Sequence, residues 1–384
     1  MKQIFSFTGA KKIVFGSGAL GQLADHIKEL NAKNPLVVID KNLSAVFQEK
    51  VEKILSPAGI KFSVYDKVEP EPPIELADEG AALAQKNKSD AVIGIGGGSA
   101  MDTAKAIAVI AANNAKATDF LGLGKVPKPG LPKIMIPTTA GTGSEVTFTA
   151  VFIRKDLKKK EGMNSVHLYP ELALLDPELT LSLPPATTAQ TGLDALCHAI
   201  ESYTSITASP MSELVSLQAI ALIADNLRAC VHDGKNLAAR EQMLMGSLYA
   251  GMGLANAGVT AVHSLSYPLG GKYGIGHGLA NTMMLMAVMN FNLPGALEKF
   301  ADIADAMGEN TDGLPAREAA YLALDAVEAL IEDCGIHASL ADFGITEKDF
   351  PDLADVALTV ARPLENNPRK VTKDDAIAMY AQAL

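Results

Sequence analysis

Asp194 and His198 stand four residues apart in the stretch TGLDALCHAIESY, so on a helix their side chains share one face a single turn apart. A carboxylate and an imidazole so placed form either a solvated ion pair or two arms of a metal site. Two further histidines bear on the choice. His263 lies in the mostly apolar AVHSLSYP, and His277 lies in GIGHG, where flanking glycines let the backbone bring an imidazole close to a partner. Asp194, His198, His263 and His277 together make a set of one carboxylate and three imidazoles. Such a set suits a borderline divalent ion such as Fe(II) or Zn(II), with a coordination position left for substrate. The plainer reading is a surface ion pair plus histidines hydrogen-bonded in the core, and residue spacing alone leaves both open.

Two glycine-rich turns compete for a phosphate. GSGALG, starting at Gly16, matches G-x-G-x-x-G between the apolar Ile13-Val14-Phe15 and a helical stretch. A lone match is weak, and a tight strand-to-helix turn explains it equally well. AVIGIGGGSAMDTAK (91–105) sets three consecutive glycines between an apolar strand and a helix, with Ser99 as the expected cap and Asp102 completing a capping box. Glycines there allow close approach of a pyrophosphate, and a helix N-terminus supplies unpaired N–H groups and partial positive charge. The phosphates are placed here. Asp40 ends the apolar run 36–39, where an acid accepts from ribose hydroxyls and repels a 2′-phosphate, favouring NAD over NADP. An ordinary N-cap for the next helix is the competing role. The loop PTTAGTGSE (137–145), dense in hydroxyls, suits contact with a ribose or a nicotinamide amide.

The elements that must carry these residues alternate in the first half. Short apolar runs at 36–39, 62–65, 91–95, 134–136 and 172–175 are separated mostly by helical stretches at 19–30, 43–55, 74–87 and 100–113. Repeated strand and helix predict βαβ units and a parallel sheet covered on both faces. After Leu183-Pro184-Pro185 nearly every segment is helical in spacing, as at 213–229, 238–254, 279–289 and 317–332. The expected domains are therefore an α/β domain over 1–183 and an all-helical domain over 184–384.

At 384 residues, 48% hydrophobic and 20% charged, the chain reads as a two-domain globular protein. Its net charge of −11 argues against nucleic acid, which wants a basic face. Cys197, Cys230 and Cys334 are far apart, suiting a reducing compartment. MKQIFSFTGAKK has no signal-peptide run, and the greasiest segments, 283–289 and 104–112, are too short to span a bilayer. A cytoplasmic protein with no membrane partner is expected.

GGGSAMDTAK, PTTAGTGSE, DALCHAIESY and HSLSYPLGGKYGIGHG, in this order, resemble the iron-containing (group III) alcohol dehydrogenases over nearly the whole chain. The resemblance implies a dehydroquinate synthase-like architecture, in which an α/β dinucleotide-binding domain and a helical domain enclose NAD and a divalent metal. Asp194, His198, His263 and His277 match the family's metal ligands, which accept Fe(II) foremost and also Zn(II), Mn(II) or Co(II). Gly97, Gly98 and Ser99 match its pyrophosphate site. Thr138, Thr139, Thr142, Thr147, Lys160 and Leu179 match further cofactor contacts, and Asp40 matches the acid that selects NAD. The implied reaction forms a metal alkoxide and passes a hydride to the nicotinamide, on a short primary alcohol, diol or corresponding aldehyde, in a homo-oligomer.

Two departures from the family stand out. Tyr267 replaces a frequent histidine thought to relay protons; a phenol of reference pKa about 10 shuttles protons less readily at neutral pH. Tyr267 and His277 are the expected catalytic residues, with His277 beneath the nicotinamide. The family's V-x-P-N-P turn is here Val68-Glu69-Pro70-Glu71-Pro72. Arg154 and Arg362 are candidates for an acidic substrate tail. Related readings are an enzyme of glycerol-dehydrogenase or dehydroquinate-synthase type, or a non-catalytic NAD-binding sensor.

Overall fold

A computed structural model describes residues 4–157 and 159–384; residues 1–3 of the amino-terminal stretch lie outside it. Its described residues divide into two compact units, one within 9–139 and 143–181, the other within 4–8, 140–142 and 182–384.

The first unit is built on a parallel sheet of six strands. β1 (Ile13–Phe15), β2 (Leu36–Asp40), β3 (Ser63–Val68) and β4 (Val92–Gly96) come first. A short β5 (Gly122–Leu123), β6 (Lys133–Pro137), β7 (Thr149–Arg154), β8 (Lys159–Asn164) and β9 (Leu172–Leu175) follow. The large sheet runs β1-β9-β6-β4-β2-β3, all pairs parallel; β5, β8 and β7 form a small second sheet. Helices α1 (Leu23–Glu29), α2 (Ser44–Leu55), α3 (Glu75–Lys86) and α4 (Gly98–Asn113) accompany it.

Side chains alternate across a strand, and here both faces are dry. Val37, Ile39, Ile93, Ile95, Ile134 and Ile136 pack with Leu23, Ile27, Phe47 and Val51. Their neighbours Leu36, Val38, Val92 and Met135 pack with Ala84, Met101, Ala104 and Ile107. β2 leads outward to β3 while β4 leads to β6 on the other side, so the winding reverses between β2 and β4. In such sheets the crevice beyond the strand ends at that reversal is where ligands bind.

Three details depart from the sequence expectation. The stretch 19–30 begins as a 3₁₀ turn, Ala19–Gln22, before α1. Gly97, not Ser99, is the N-cap of α4 and makes no side-chain cap; Asp102 instead accepts from Val151 N (2.9 Å) and Ser144 Oγ (2.6 Å). Ser99 is already the second residue inside the helix, where its own N–H is one of those a cap must satisfy, so it does not cap. The antiparallel pair β7–β8 is additional; β8, KKEGMN, is too polar to show an apolar alternation.

The second unit is helical: α5 (Pro185–Thr204), α6 (Pro210–His232), α7 (Leu237–Ala257), α8 (Ala261–Tyr273), α9 (His277–Asn292), α10 (Leu297–Ala306), α11 (Ala316–Asp333), α12 (Phe350–Leu358), α13 (Ala361–Asn366) and α14 (Lys373–Gln382). Pro185 opens α5 at N1, where its missing N–H costs nothing. By length and composition α6 is apolar enough to cross a membrane. In the fold it lies against α5, α7, α10 and α11, which accounts for its apolar faces. Two short pieces join this unit: Thr8 exchanges backbone hydrogen bonds with the Asn256 side chain, and Gly141 lies on Thr191 of α5.

At Gly94 in β4, α4 packs tightly against the sheet. A Cβ there would stand 2.8 Å from Ala104 Cβ and 2.9 Å from Met135 Sδ. Gly94→Ala is expected to destabilise the protein by about 1–3 kcal/mol, the usual cost of overpacking a core. A lower denaturant midpoint in urea unfolding checks this; an unchanged midpoint would show that α4 can retreat freely.

Candidate active site

Burial decides between the two readings of Asp194 and His198. Each residue is only 3% exposed, so a solvated surface pair is ruled out. α5 carries both on one stripe, α8 brings His263, and α9 begins at His277. Donor atoms of the four residues all lie within 4.8 Å of one another. Asp194 Oδ1 is 3.9 Å from His198 Nε2 and 3.8 Å from His277 Nε2. The imidazoles of His198 and His263 stack at 4.9 Å, and that of His277 meets His263 edge-on at 5.2 Å.

Glycine permits this convergence. Gly274 ends α8 in the left-handed region at φ 69°, turning the chain into α9. A Cβ on Gly278 would collide with the Gln190 carbonyl and press on Asp194 Cβ at 3.4 Å, so only glycine lets the first turn of α9 sit on α5.

The donor set fits a divalent cation on chemical grounds. Burial opposes the charge on Asp194, yet His198, His277, His263 and the Asn281 amide together hold its carboxyl below the usual range. Burial also pulls the His198 pKa down, against the attraction of Asp194, which favours the neutral imidazole. An ionised carboxylate beside a neutral imidazole is what metal binding requires of this pair. Asp194 Oδ1 lies within 4 Å of two imidazole nitrogens, so these donors could reach one ion in common.

Two residues of this site went unread in the sequence. Asn281, buried, donates from Nδ2 to Asp194 Oδ1 at 2.7 Å. Glu201 Oε2 meets His263 Nδ1, and Oε1 accepts from the first turn of α8. The signal was present: Asn281 is i+4 from His277 on α9, and Glu201 is i+7 from Asp194 on α5. Tyr267, half-buried, lies 6.4 Å from the His263 ring and 6.2 Å from the His277 ring, centre to centre.

Within the α/β unit, Asp40 and Gly97-Gly98-Ser99 stand at the ends of adjacent strands β2 and β4, where the winding reverses. Asp40 is not the N-cap of α2, which is Leu43; its Oδ1 accepts from Asn42 N at 2.8 Å in a tight turn. Thr138 and Thr139 follow β6, the next strand, and Thr139 packs against Gly97. The Thr138 hydroxyl is buried without a protein partner. Thr142 belongs to the short piece that joins the helical unit.

The remaining candidates are already engaged. The Thr147 hydroxyl is 3.2 Å from Lys105 Nζ, and Lys160 Nζ is 2.6 Å from Glu71 Oε2. Leu179 is packed in the core with Leu20 and Leu174. Arg154 is paired with Asp156 and Glu161, while Arg362 lies on α13.

Lys105, fully buried, braces this region. Its ammonium reaches the Ser144 carbonyl at 3.0 Å and Asp102 at 3.1 Å, tying α4 to the loop after β6. Burial lowers its pKa, and Asp102 opposes the fall. The other glycine motif is closed to phosphate: the N–H groups of Gly18 and Leu20 donate to the Asp176 carboxylate at 3.1 and 3.0 Å.

Comparison with known proteins agrees with this geometry. Residues 10–177 match the family described as iron-containing alcohol dehydrogenase, and residues 188–384 match its C-terminal part. The long-chain-alcohol dehydrogenase 1 of Geobacillus thermodenitrificans is 41% identical, over 96% of this chain and 94% of the relative. The 1,3-propanediol dehydrogenase of Citrobacter freundii is 40% identical over 96% of both chains, and the lactaldehyde reductase of Escherichia coli K12 is 39% identical over 96% and 97%. A crystal structure of a 1,3-propanediol oxidoreductase superposes with a TM-score of 0.96 at 38% identity, covering both chains completely. The chain belongs to the iron-containing alcohol dehydrogenase family, and it is an NAD- and metal-dependent oxidoreductase acting on CH–OH groups.

Proposed function

We propose that the chain interconverts a short primary alcohol or diol with its aldehyde, using NAD(H), and that Asp194, His198, His263 and His277 hold the divalent ion. The convergence of one carboxylate and three imidazoles, three of the four residues buried, carries this reading. The relatives named for 1,3-propanediol and lactaldehyde support a small, oxygen-rich substrate. Fe(II) is the first choice of metal, and the ligand types also accept Zn(II), Mn(II) or Co(II).

Lewis-acid polarisation of a hydroxyl or carbonyl oxygen, and hydride exchange at the nicotinamide, are what the two bound groups supply. The chain does the rest. Asn281 orients Asp194, and Glu201 meets His263. His277 is the most exposed of the four proposed ligands and would help to position the nicotinamide. Tyr267 lies beside His263 and His277 and offers its phenol to the substrate oxygen, donating a hydrogen bond rather than relaying a proton. The N–H groups at the start of α4, around Gly97, Gly98 and Ser99, cradle the pyrophosphate. Asp40 takes the ribose hydroxyls, and the Thr138 hydroxyl is free to meet the cofactor. Thr139, Thr142, Thr147, Lys160 and Leu179 complete the proposed contacts, with Lys160 paired to Glu71. The three buried, unbridged cysteines fit a cytoplasmic enzyme, and a homo-oligomer is its proposed state.

Metal-stripped protein should fail to oxidise NADH with 3-hydroxypropanal, lactaldehyde or longer aldehydes, and added Fe(II) should restore turnover with at least one. Asp194→Ala should lose Fe(II) retention and turnover together, by more than the roughly 100-fold typical of losing an outer partner of a metal ligand. Full activity of stripped protein would end this reading. Asp40→Gly should tighten NADPH binding at least tenfold (about 1.4 kcal/mol) while weakening NADH, as read by fluorescence titration. Unchanged discrimination would move the cofactor choice elsewhere.

A further inference from the structure

Glu201 is 1% exposed and receives donors on both oxygens. Oε1 accepts from Thr260 N (2.9 Å), Thr260 Oγ1 (2.9 Å), Val262 N (3.0 Å) and His263 N (3.4 Å). Oε2 takes His263 Nδ1. α8 has no cap from its own Thr260 side chain, so a residue of α5 satisfies the N–H groups that its first turn leaves unpaired. With Nδ1–H committed to a carboxylate, His263 is fixed in the tautomer whose Nε2 lone pair faces away from Glu201. Nε2 is the atom found 3.1 Å from Asn281 Nδ2, on the side of Asp194 and His277.

We propose that Glu201 is a positioning residue for the metal centre: one carboxylate starts α8 and, through the same grip, aims His263 Nε2 at the cation while raising the basicity of the imidazole. The inference rests on the ligand assignment above. It asks more of Glu201 than a structural anchor, because an anchor needs only acceptor capacity toward the backbone. A glutamine cannot replace it. Its oxygen can serve either the α8 amides or His263 Nδ1–H, and its NH₂ then opposes the donors on the other side.

The test uses the full chain, stripped of metal and titrated with Co(II), whose visible absorption reports ligand geometry. Glu201→Gln is expected to weaken Co(II) binding about 10–100-fold and to alter the Co(II) spectrum. Thr260→Val removes one donor to Oε1 and leaves the His263 contact; it is expected to lower the melting temperature with Co(II) affinity and spectrum retained. If Glu201→Gln does not fold, Glu201→Asp, which keeps the charge but draws it back by one methylene, is expected to weaken Co(II) binding and alter the spectrum. Wild-type affinity and spectrum in the folded Glu201 variant would overturn the proposal. So would a loss of Co(II) affinity in Thr260→Val equal to that in Glu201→Gln, since the effect would then run through the helix start alone. No saturable Co(II) binding by the unsubstituted protein would remove the ligand assignment itself, and this inference with it.

Discussion

Taking a carboxylate out of water costs several kcal/mol unless partners replace the solvent, and α5 buries two of them, Asp194 and Glu201, on one stripe of its surface. Much of the helical unit answers that cost. The start of α8 is laid against Glu201 so that backbone amides and an imidazole can reach it. The start of α9 is pressed onto α5 through Gly278, bringing His277 and Asn281 to Asp194. Solvating buried charge and gathering the donors proposed to hold a cation are therefore one arrangement. The same groups that make Asp194 tolerable in a dry interior leave its charge available to a divalent ion.

The α/β unit divides its tasks differently. Its strands are apolar on both faces, and the polar candidates for cofactor contact stand where β2, β4 and β6 end. The loop after β6 is held by Lys105 and Asp102 from α4, an ion pair whose ammonium is fully buried and whose carboxylate is mostly so. A buried pair of this kind contributes little net stability, but breaking it is costly, so the loop has few alternative positions.

Much of this was legible in the sequence because the patterns were long and redundant. The apolar run of β9 was located to the residue, and α2, α3 and α4 to within two residues at each end, since period and composition agreed there. The Asp194–His198 spacing left a site and a surface pair both open, and burial excludes the surface pair. Glu201 and Asn281 share the helical stripes of the ligands, yet a glutamate or asparagine on a helix is so often solvated that spacing alone carries little weight. Ser99 was misread as a cap because glycines before a helix leave the true N-cap without a side chain to announce it. β8 was missed because a charged strand on a small sheet has no apolar alternation to detect.

Asp176 gives the Gly16 turn a meaning that its motif does not. Successive N–H groups in a glycine-rich turn form an anion nest, and here Gly18 and Leu20 wrap the chain's own carboxylate. The nest at β1 is filled by a covalently tethered anion, whereas the turn after β4 is the one proposed to take a mobile one. The tethered anion joins the edge strand β1 to the end of its neighbour β9, so a geometry associated with nucleotide capture serves here as an internal clasp.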